Sequence, residues 1–267
     1  MILKNFNPSQ YENILKAATG SGRTIFSVGD FIAGKERAGK WGLDKPYIII
    51  RHDVDDDVRY ALEMAEMEKG FGIRSTYYIR RNPKVWLPAT IVKIASMGHE
   101  IGYHYECLSK TDGDVRKAAA LFKNELEELR SVSNSEVSTC CMHGDVLSEW
   151  DNRDLWKHVP LQSFGLSGEA YLSLAGMDIA YFSDSGYTWS RDFCVYDRFD
   201  GINPAIDITG ELIEKIADHN MPRLCLLTHP ILWMGSARHR QKQAMREYLL
   251  RIPKRVLIRL RHPGAGR

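Results

Sequence analysis

The chain has 267 residues, which is enough for one large α/β domain or two small ones. Hydrophobic residues make up 44% of it, a fraction typical of a globular protein with a sizeable core. Its 36 lysine and arginine residues nearly balance 34 acidic residues, and a net charge of +2 argues against a nucleic acid as the main partner.

The predicted elements alternate between short β-branched runs and helical patterns. Residues 1–46 are expected to form an N-terminal helical extension packed on a single domain that spans 47–267. The predicted strands are 47–52, 74–79, 137–142, 178–183, 223–228 and 255–260. The predicted helices are 57–69, 86–97, 114–131 and 236–251. Strands that alternate with helices of this length indicate βαβ units and a mainly parallel sheet, closed or nearly closed into a barrel.

The sequence also bears on the cellular location. It has no run of about 18 apolar residues, so we expect no membrane span. Residues 1–20 lack the apolar segment and the small-residue cleavage site of a signal peptide, which favours a cytoplasmic location. The five cysteines are scattered and odd in number, which argues against a disulfide framework. The basic C-terminal end is expected to be a solvated tail.

Acidic and imidazole side chains lie at or just after the ends of several predicted strands, and one lies in the alternating segment GHEIGYH. They are Asp53, Asp55, His104, His143, Asp184 and His229. In parallel α/β barrels the loops that follow the carboxyl ends of the strands build the active site. We therefore expect these side chains to converge there.

The chemistry of these residue types indicates a metal site. Asp53 and Asp55 are two residues apart in an extended segment, so their side chains point the same way. Two carboxylates in one cleft repel each other, which favours a bound cation or a division into one ligand and one base. Carboxylates and neutral imidazoles are typical ligands of zinc and related ions. An aspartate in this position is also a common helix N-cap, a role expected here for Asp56 or Asp57.

Four motifs carry a resemblance to a known family. In chain order they read RHDVD, GHEIGYHYE, CMHG and LLTHP. They resemble the NodB-type polysaccharide deacetylases, carbohydrate esterase family 4, and more closely a bacterial subgroup from surface-polysaccharide loci. The resemblance covers about residues 45–260. It implies a distorted (β/α)7-type barrel, with 47–267 as the catalytic domain, and removal of an acyl group from the amide nitrogen of an amino sugar.

The resemblance also implies roles for individual residues. Asp53 corresponds to the catalytic base, Asp55 and His104 to metal ligands, and His229 to the general acid. It implies one divalent ion, with zinc preferred and nickel, cobalt or iron as alternatives. Such an ion would activate a water molecule for attack on the amide.

One departure from the family leaves the ligand set incomplete. Leu108 stands where the family has its second ligand histidine, and leucine cannot bind a metal. His143 is expected to supply the missing imidazole, because it follows a strand end and the next residue is a glycine. Glu106 and Cys107 are the alternatives. The arginine that braces the base in the family's third motif is absent from CMHG.

The predicted activity is removal of acetyl or formyl from a nucleotide-linked or lipid-linked amino sugar, in the synthesis of a surface polysaccharide such as the O-antigen of lipopolysaccharide. Asn152 with Arg153, and Asp184 with Trp189, are candidate sugar contacts, although each pair also fits a helix cap or an ordinary turn. Two alternatives stay open. One is a catalytically silent relative that binds a sugar or a partner protein. The other is a metal phosphoesterase, although the H-x-H pair expected for one is missing.

Overall fold

A computed structural model describes residues 2–38, 45–144, 148–189, 202, 204–218 and 220–261. Within these ranges the strands are β1 (Thr24–Phe26), β2 (Tyr47–Val54), β3 (Thr76–Arg80), β4 (Glu100–Tyr105), β5 (Thr139–Met142), β6 (Gly168–Glu169), β7 (Ala180–Ser183) and β8 (Arg223–Thr228). The α-helices are α1 (Ile2–Asn5), α2 (Pro8–Gly20), α3 (Val28–Ala38), α4 (Val58–Gly70), α5 (Pro88–Ser96), α6 (Cys107–Lys110), α7 (Val115–Ser133), α8 (Thr209–Ala217), α9 (Pro230–Trp233) and α10 (Ala237–Arg261). Two short 3-10 helices cover Asn152–Lys157 and Leu161–Phe164.

The eight described strands form one parallel sheet, in which seven follow the order β6-β5-β4-β3-β2-β8-β7 and the eighth, β1, pairs with β2. Strand β1 pairs with the beginning of β2, at Tyr47 to Ile49, and β3 pairs with its end, at Arg51 to Val54. Strand β8 pairs along the other edge of β2. Strands β1 and β3 therefore share one edge of β2. The predicted α/β fold with a parallel sheet is therefore confirmed.

The sheet is curled, as the contacts of one buried side chain show. Arg51 on β2 donates to Cys141 Sγ on β5 at 2.8 Å and to Tyr181 OH on β7 at 3.0 Å. In a flat sheet, β5 and β7 would lie about 14 Å and about 10 Å from β2, on opposite sides of it. One guanidinium reaches both strands because the sheet wraps around it. In the described ranges β6 and β7 do not pair, so this distorted barrel is open between them.

Both faces of β2 are buried, which explains its unbroken apolar run. Tyr47 and Ile49 belong to one core cluster, and Ile48 and Ile50 to the other. Such two-sided burial is typical of parallel strands covered by helices. The second cluster includes Phe6 from the N-terminal segment, whose ring stacks on Trp189 at a centroid distance of 5.6 Å.

The structure differs from several of the predicted elements. The predicted strand 255–260 is wrong, because these residues continue α10, and a short apolar run cannot be told from helix by its pattern alone. Strands β1, β4 and β6 were not among the predicted strands. The two or three residues of β1 and β6 are too few to show a period. Asp57 caps α4 as expected, accepting from the Arg59 backbone N–H at 3.1 Å. The division of the chain at residue 46 stays a prediction. Every helix in the described ranges is too short or too polar to cross a membrane.

Candidate active site

The parallel sheet brings the predicted polar side chains to one edge. Their strands are parallel, so the carboxyl ends of β2, β4, β5, β7 and β8 meet there. The side chains gathered at this edge are Asp53, Asp55, His104, His143, Asp184 and His229.

Three donor atoms lie at the mutual distances of ligands around one ion. Asp55 Oδ1 is 3.2 Å from His104 Nε2 and 3.1 Å from His143 Nδ1, and the two nitrogens are 3.3 Å apart. Tetrahedral ligands bound at about 2.0–2.2 Å from zinc are separated by about 3.3–3.6 Å. The three residues therefore fit a divalent ion of this size and offer three of the four ligands of a tetrahedral site.

The surroundings of these donors leave their lone pairs free for an ion. His104 Nδ1 lies 3.0 Å from the Cys141 carbonyl oxygen, so the proton on Nδ1 is donated there and Nε2 carries the lone pair. His143 is held through its backbone, whose N–H donates to the Tyr105 carbonyl at 2.7 Å. Its own carbonyl accepts from the Asn152 amide at 3.1 Å. Asp55 Oδ1 is buried and receives no hydrogen bond from any described residue, as expected of an oxygen whose partner is a cation.

The two alternatives to His143 are engaged elsewhere. The Glu106 carboxylate pairs with Arg80 at 2.6 Å and with Lys110 at 3.2 Å. The Cys107 thiol is buried 3.5 Å from Tyr103 OH, and burial raises its pKa to about 12. Leu108 packs in the apolar core. Of the three candidates, His143 is the one that lies with Asp55 and His104.

The charges in this cluster stabilise one another. Burial raises the pKa of Asp55, but attraction to His143 and His104 outweighs it and holds that pKa well below the usual range. Burial lowers the pKa of His104, but the carboxylates of Asp53 and Asp55 outweigh it and the pKa is raised. Asp55 is therefore ionised at neutral pH, the state a metal ligand requires.

Asp53 lies beside the three donors and is held differently. Its carboxylate is 3% exposed, and Oδ2 is 3.8 Å from His104 Nε2. The Arg51 guanidinium approaches Oδ1 to 4.0 Å, beyond hydrogen-bond distance, and Oδ1 has no hydrogen-bond partner in the described part of the chain. Asp53 is thus a buried carboxylate beside the cluster, and its Oδ1 accepts no hydrogen bond from the described residues, as a base requires.

His229 is held as a cation near Asp55 Oδ2, whereas His104 and His143 lie near Oδ1 of the same carboxylate. Its Nδ1 lies 2.6 Å from Asp184 Oδ1, and its Nε2 lies 3.6 Å from Asp55 Oδ2. Burial lowers the pKa of His229, but Asp184 outweighs it and, with Asp55 and Asp53, raises the pKa to about 10. The imidazole is therefore protonated at neutral pH, with Nε2–H turned toward the cluster.

Asp184 is a positioning residue in this arrangement and has no free surface for a sugar. Its carboxylate accepts from the His229 backbone N–H at 2.9 Å and from Trp233 Nε1 at 2.5 Å, besides the imidazole. It is completely buried. The sequence placed it correctly at the strand end, but its partners lie on a different element and could not be read from a local turn.

The other predicted sugar contacts also face inward or are paired. Trp189 is 4% exposed and donates to Thr209 Oγ1 at 3.2 Å. Asn152 is buried and holds the His143 carbonyl. Arg153 pairs with Asp151 at 2.6 Å. The structure does not place these side chains on a surface open to a sugar, so their predicted role finds no support in it.

Sequence reasoning missed Arg51 as part of the site. It is 1% exposed, and its guanidinium lies 4.3 Å from the centroid of the Tyr171 ring. Arg51 and Asp53 are two residues apart on one strand, so the alternation that aligns Asp53 with Asp55 also aligns Arg51 with them. That spacing was the signal that could have found it.

Comparisons with known proteins give structural neighbours only. No family model matches the chain, and no curated protein matches it. The chain is similar to an esterase of carbohydrate esterase family 4 from Streptococcus mutans, with 12% identity over 86% of this chain and 88% of that chain and a TM-score of 0.48. A family 4 carbohydrate esterase from Bacillus anthracis has 16% identity over 89% and 84%, with a TM-score of 0.44.

A pseudoenzyme of family 4 from Bacillus anthracis is a third neighbour, with 11% identity and a TM-score of 0.42. The match covers 79% of this chain and 62% of that one. All three neighbours belong to the family that the sequence motifs resemble. Likeness at this level carries neither an activity nor a substrate to this chain.

Proposed function

We propose that this protein is a metal-dependent hydrolase of the NodB type that removes an N-acyl group from an amino sugar. One observation carries the proposal. Three ligand atoms converge at 3.1–3.3 Å from one another, between a buried carboxylate with an unused oxygen and an imidazole held as a cation. A base and an acid on two sides of a Lewis-acid site form the constellation that amide hydrolysis needs.

Asp55, His104 and His143 would hold the ion, which when bound lowers the pKa of water towards ~7 and polarises the acyl carbonyl. Asp53 takes a proton from the attacking water through its free oxygen. His229 donates its Nε2 proton to the leaving amine, which would otherwise depart as a poor anionic leaving group. Asp184 keeps His229 charged and aimed, because it accepts from Nδ1.

Arg51 has a supporting role in this mechanism. Its buried guanidinium lies on the same face of β2 as Asp53 and places a fixed positive charge 4.0 Å from that carboxylate. A nearby cation offsets the cost of burying a carboxylate. This is the bracing that the family assigns to an arginine on its third motif, supplied here from β2.

The proposed substrate is an N-acylated amino sugar on a carrier. The leaving group is an amino sugar, nucleotide-linked or lipid-linked, and the acyl group is acetyl or formyl. The proposed context is synthesis of a cell-surface polysaccharide such as an O-antigen, with the protein in the cytoplasm. Zinc is the preferred ion, because two imidazoles and one carboxylate form a common catalytic zinc set.

The test combines metal content with product release. Untagged protein should contain about one divalent ion per chain by mass spectrometry, and should release acetate or formate from a panel of N-acetyl and N-formyl amino sugars, free and nucleotide-linked. Asp53→Asn should keep the ion and lose at least about 100-fold in turnover, the usual scale for a general base.

The matched control is Asp56→Asn, the neighbouring carboxylate, which pairs at the surface with Lys84 at 3.0 Å. It should keep both ion and turnover. An ion with no released acyl group from any substrate would favour the silent sugar-binding alternative. Failure to bind zinc, nickel, cobalt or iron would overturn the proposal.

A further inference from the structure

Helix α10 exposes an apolar stripe. Met245, Tyr248 and Leu249 are 60%, 62% and 66% exposed, more than any other large hydrophobic residue in the described ranges. Their spacing of three and four residues places them on one face of the helix. A stripe of this kind normally faces the protein core, so its exposure points to a partner that covers it.

The amino-acid sequence of α10 repeats this apolar spacing beyond Leu249 and is rich in positive charge. Apolar residues recur at 252, 256 and 260, four residues apart, which extends the period begun at Leu249. The helix carries nine lysine and arginine residues against a single acidic residue, Glu247. An apolar stripe on a strongly basic helix is the pattern of helices that lie in the interface of anionic membranes.

The charge selects among the partners that could cover the stripe. A second copy of the chain docking through the same face would bring two strongly basic helices together, and their repulsion opposes such a dimer. An anionic bilayer offers both an apolar boundary for the stripe and negative headgroups for the flanking arginines. We propose that α10 binds the surface of an anionic lipid bilayer.

The position of α10 gives this binding a consequence for the candidate site. Arg246 Nη1 lies 3.6 Å from Asp56 Oδ2, one residue from the ligand Asp55. The His239 ring packs on Tyr60 at a centroid distance of 4.4 Å, and α10 follows α9, which begins directly after His229. Bilayer contact through α10 would bring the rim of the site to the membrane surface, within reach of a sugar on a lipid carrier. That last consequence rests on the proposed function, whereas bilayer binding itself does not.

The experiment is co-sedimentation with vesicles of phosphatidylcholine, with and without phosphatidylglycerol, at low and high salt. The wild type should bind the anionic vesicles, bind the neutral ones weakly, and lose affinity as salt screens the charges. Leu249→Glu should weaken binding roughly tenfold or more, because it places a charge where a leucine would enter the interface. Val92→Glu is the matched control, since Val92 is exposed on α5 and lies outside the stripe. It should bind as the wild type does.

Three outcomes would overturn the inference. They are no binding to anionic vesicles, equal binding of Leu249→Glu and wild type, and a dimer in sedimentation velocity that Leu249→Glu dissociates. Asp53→Asn should bind vesicles as the wild type does. Vesicle binding by a protein without metal or turnover would therefore refute the proposed function and leave this inference standing.

Discussion

Replacing Asp184 by asparagine tests how the charge of His229 is controlled. The substitution removes one negative charge and keeps nearly the same shape. In the wild type, Asp184 Oδ1 lies 2.6 Å from His229 Nδ1, and the pKa of His229 is raised to about 10. Loss of the carboxylate should bring this pKa down.

The size of the change follows from the geometry. Two charges whose centres lie about 4 Å apart interact by about 4 kcal/mol at an effective dielectric constant of about 20. At 1.36 kcal/mol for each pKa unit, this lowers the pKa of His229 by about 3, to about 7. At pH 8 the imidazole of the variant would then be about 10% protonated, whereas the wild-type imidazole stays protonated.

Two measurements check this expectation. Titration of the His229 Cε1 proton by NMR, on protein stripped of metal by a chelator, should give a midpoint near 10 for the wild type and about 3 lower for Asp184→Asn. The turnover of the metal-loaded variant, relative to wild type, should fall further as pH rises through about 7, because the general acid loses its proton.

An unchanged midpoint in the variant would refute the reasoning, since the carboxylate would then not set the charge of His229. A turnover ratio that stays constant between pH 6 and pH 9 would refute the role of His229 as proton donor. Asp178→Asn, a change at an exposed carboxylate paired only loosely with Arg223 at 3.7 Å, should alter neither quantity.

Three further predictions concern the ion, the base and the core. His143→Ala should weaken zinc affinity at least about 100-fold, measured by chelator competition, while Glu106→Ala keeps it, because Glu106 is paired with Arg80. Arg51→Met should keep the ion, measured by mass spectrometry, and lower turnover about tenfold, because Asp53 loses its fixed cation; loss of the ion would contradict this. Glu68→Gln should lower the free energy of unfolding by about 3 kcal/mol in urea titrations at pH 7, because it removes a fully buried carboxylate that accepts hydrogen bonds from Tyr11, Ser75 and Tyr77.

The Glu68 prediction has a pH dependence with a definite sign. Burial raises the pKa of Glu68, but His52, His99 and Ser75 outweigh it and lower the pKa from 4.5 to about 2. A depressed carboxylate pKa adds stability above the unfolded value, and that stability is lost as pH falls through the folded value. The difference between wild type and Glu68→Gln should therefore be complete above pH 5 and shrink as pH falls toward 2. A difference that is constant over this range would contradict it.

Most of the candidate site could be predicted from the sequence because its signals are local. The end of a parallel strand determines where the next side chain lies, so Asp53, Asp55, His143 and His229 could be assigned to one edge of the sheet from the sequence. The choice of His143 to replace the histidine missing at Leu108 followed from the same rule. In the structure, His143 Nδ1 lies 3.1 Å from Asp55 Oδ1, and its role as a ligand stays a prediction.

What the sequence could not give depends on contacts between distant elements. Trp189 reads locally as an aromatic platform, but it is buried because Phe6, far away in the chain, covers it. Asp184 reads as a sugar contact, but its partner Trp233 lies on α9. The exposure of the α10 stripe depends on which other elements pack against the helix, and the spacing of apolar residues within 236–251 does not show this.

The acidic cluster after the buried strand β2 has a physical explanation in these contacts. Burying Asp53 and Asp55 together is costly unless cations balance them. Arg51 lies 4.0 Å from the Asp53 carboxylate, and His229 lies 3.6 Å from that of Asp55. Asp55 Oδ1 and Asp53 Oδ1 nevertheless lack hydrogen-bond donors among the described residues. The protein's own groups thus offset most of the negative charge and leave two oxygens for other partners. An ion on Asp55 and the proton of a water on Asp53 would complete that balance. The two free oxygens therefore favour the interpretation of H-D-V-D as part of a hydrolytic site over that of a purely structural charge cluster.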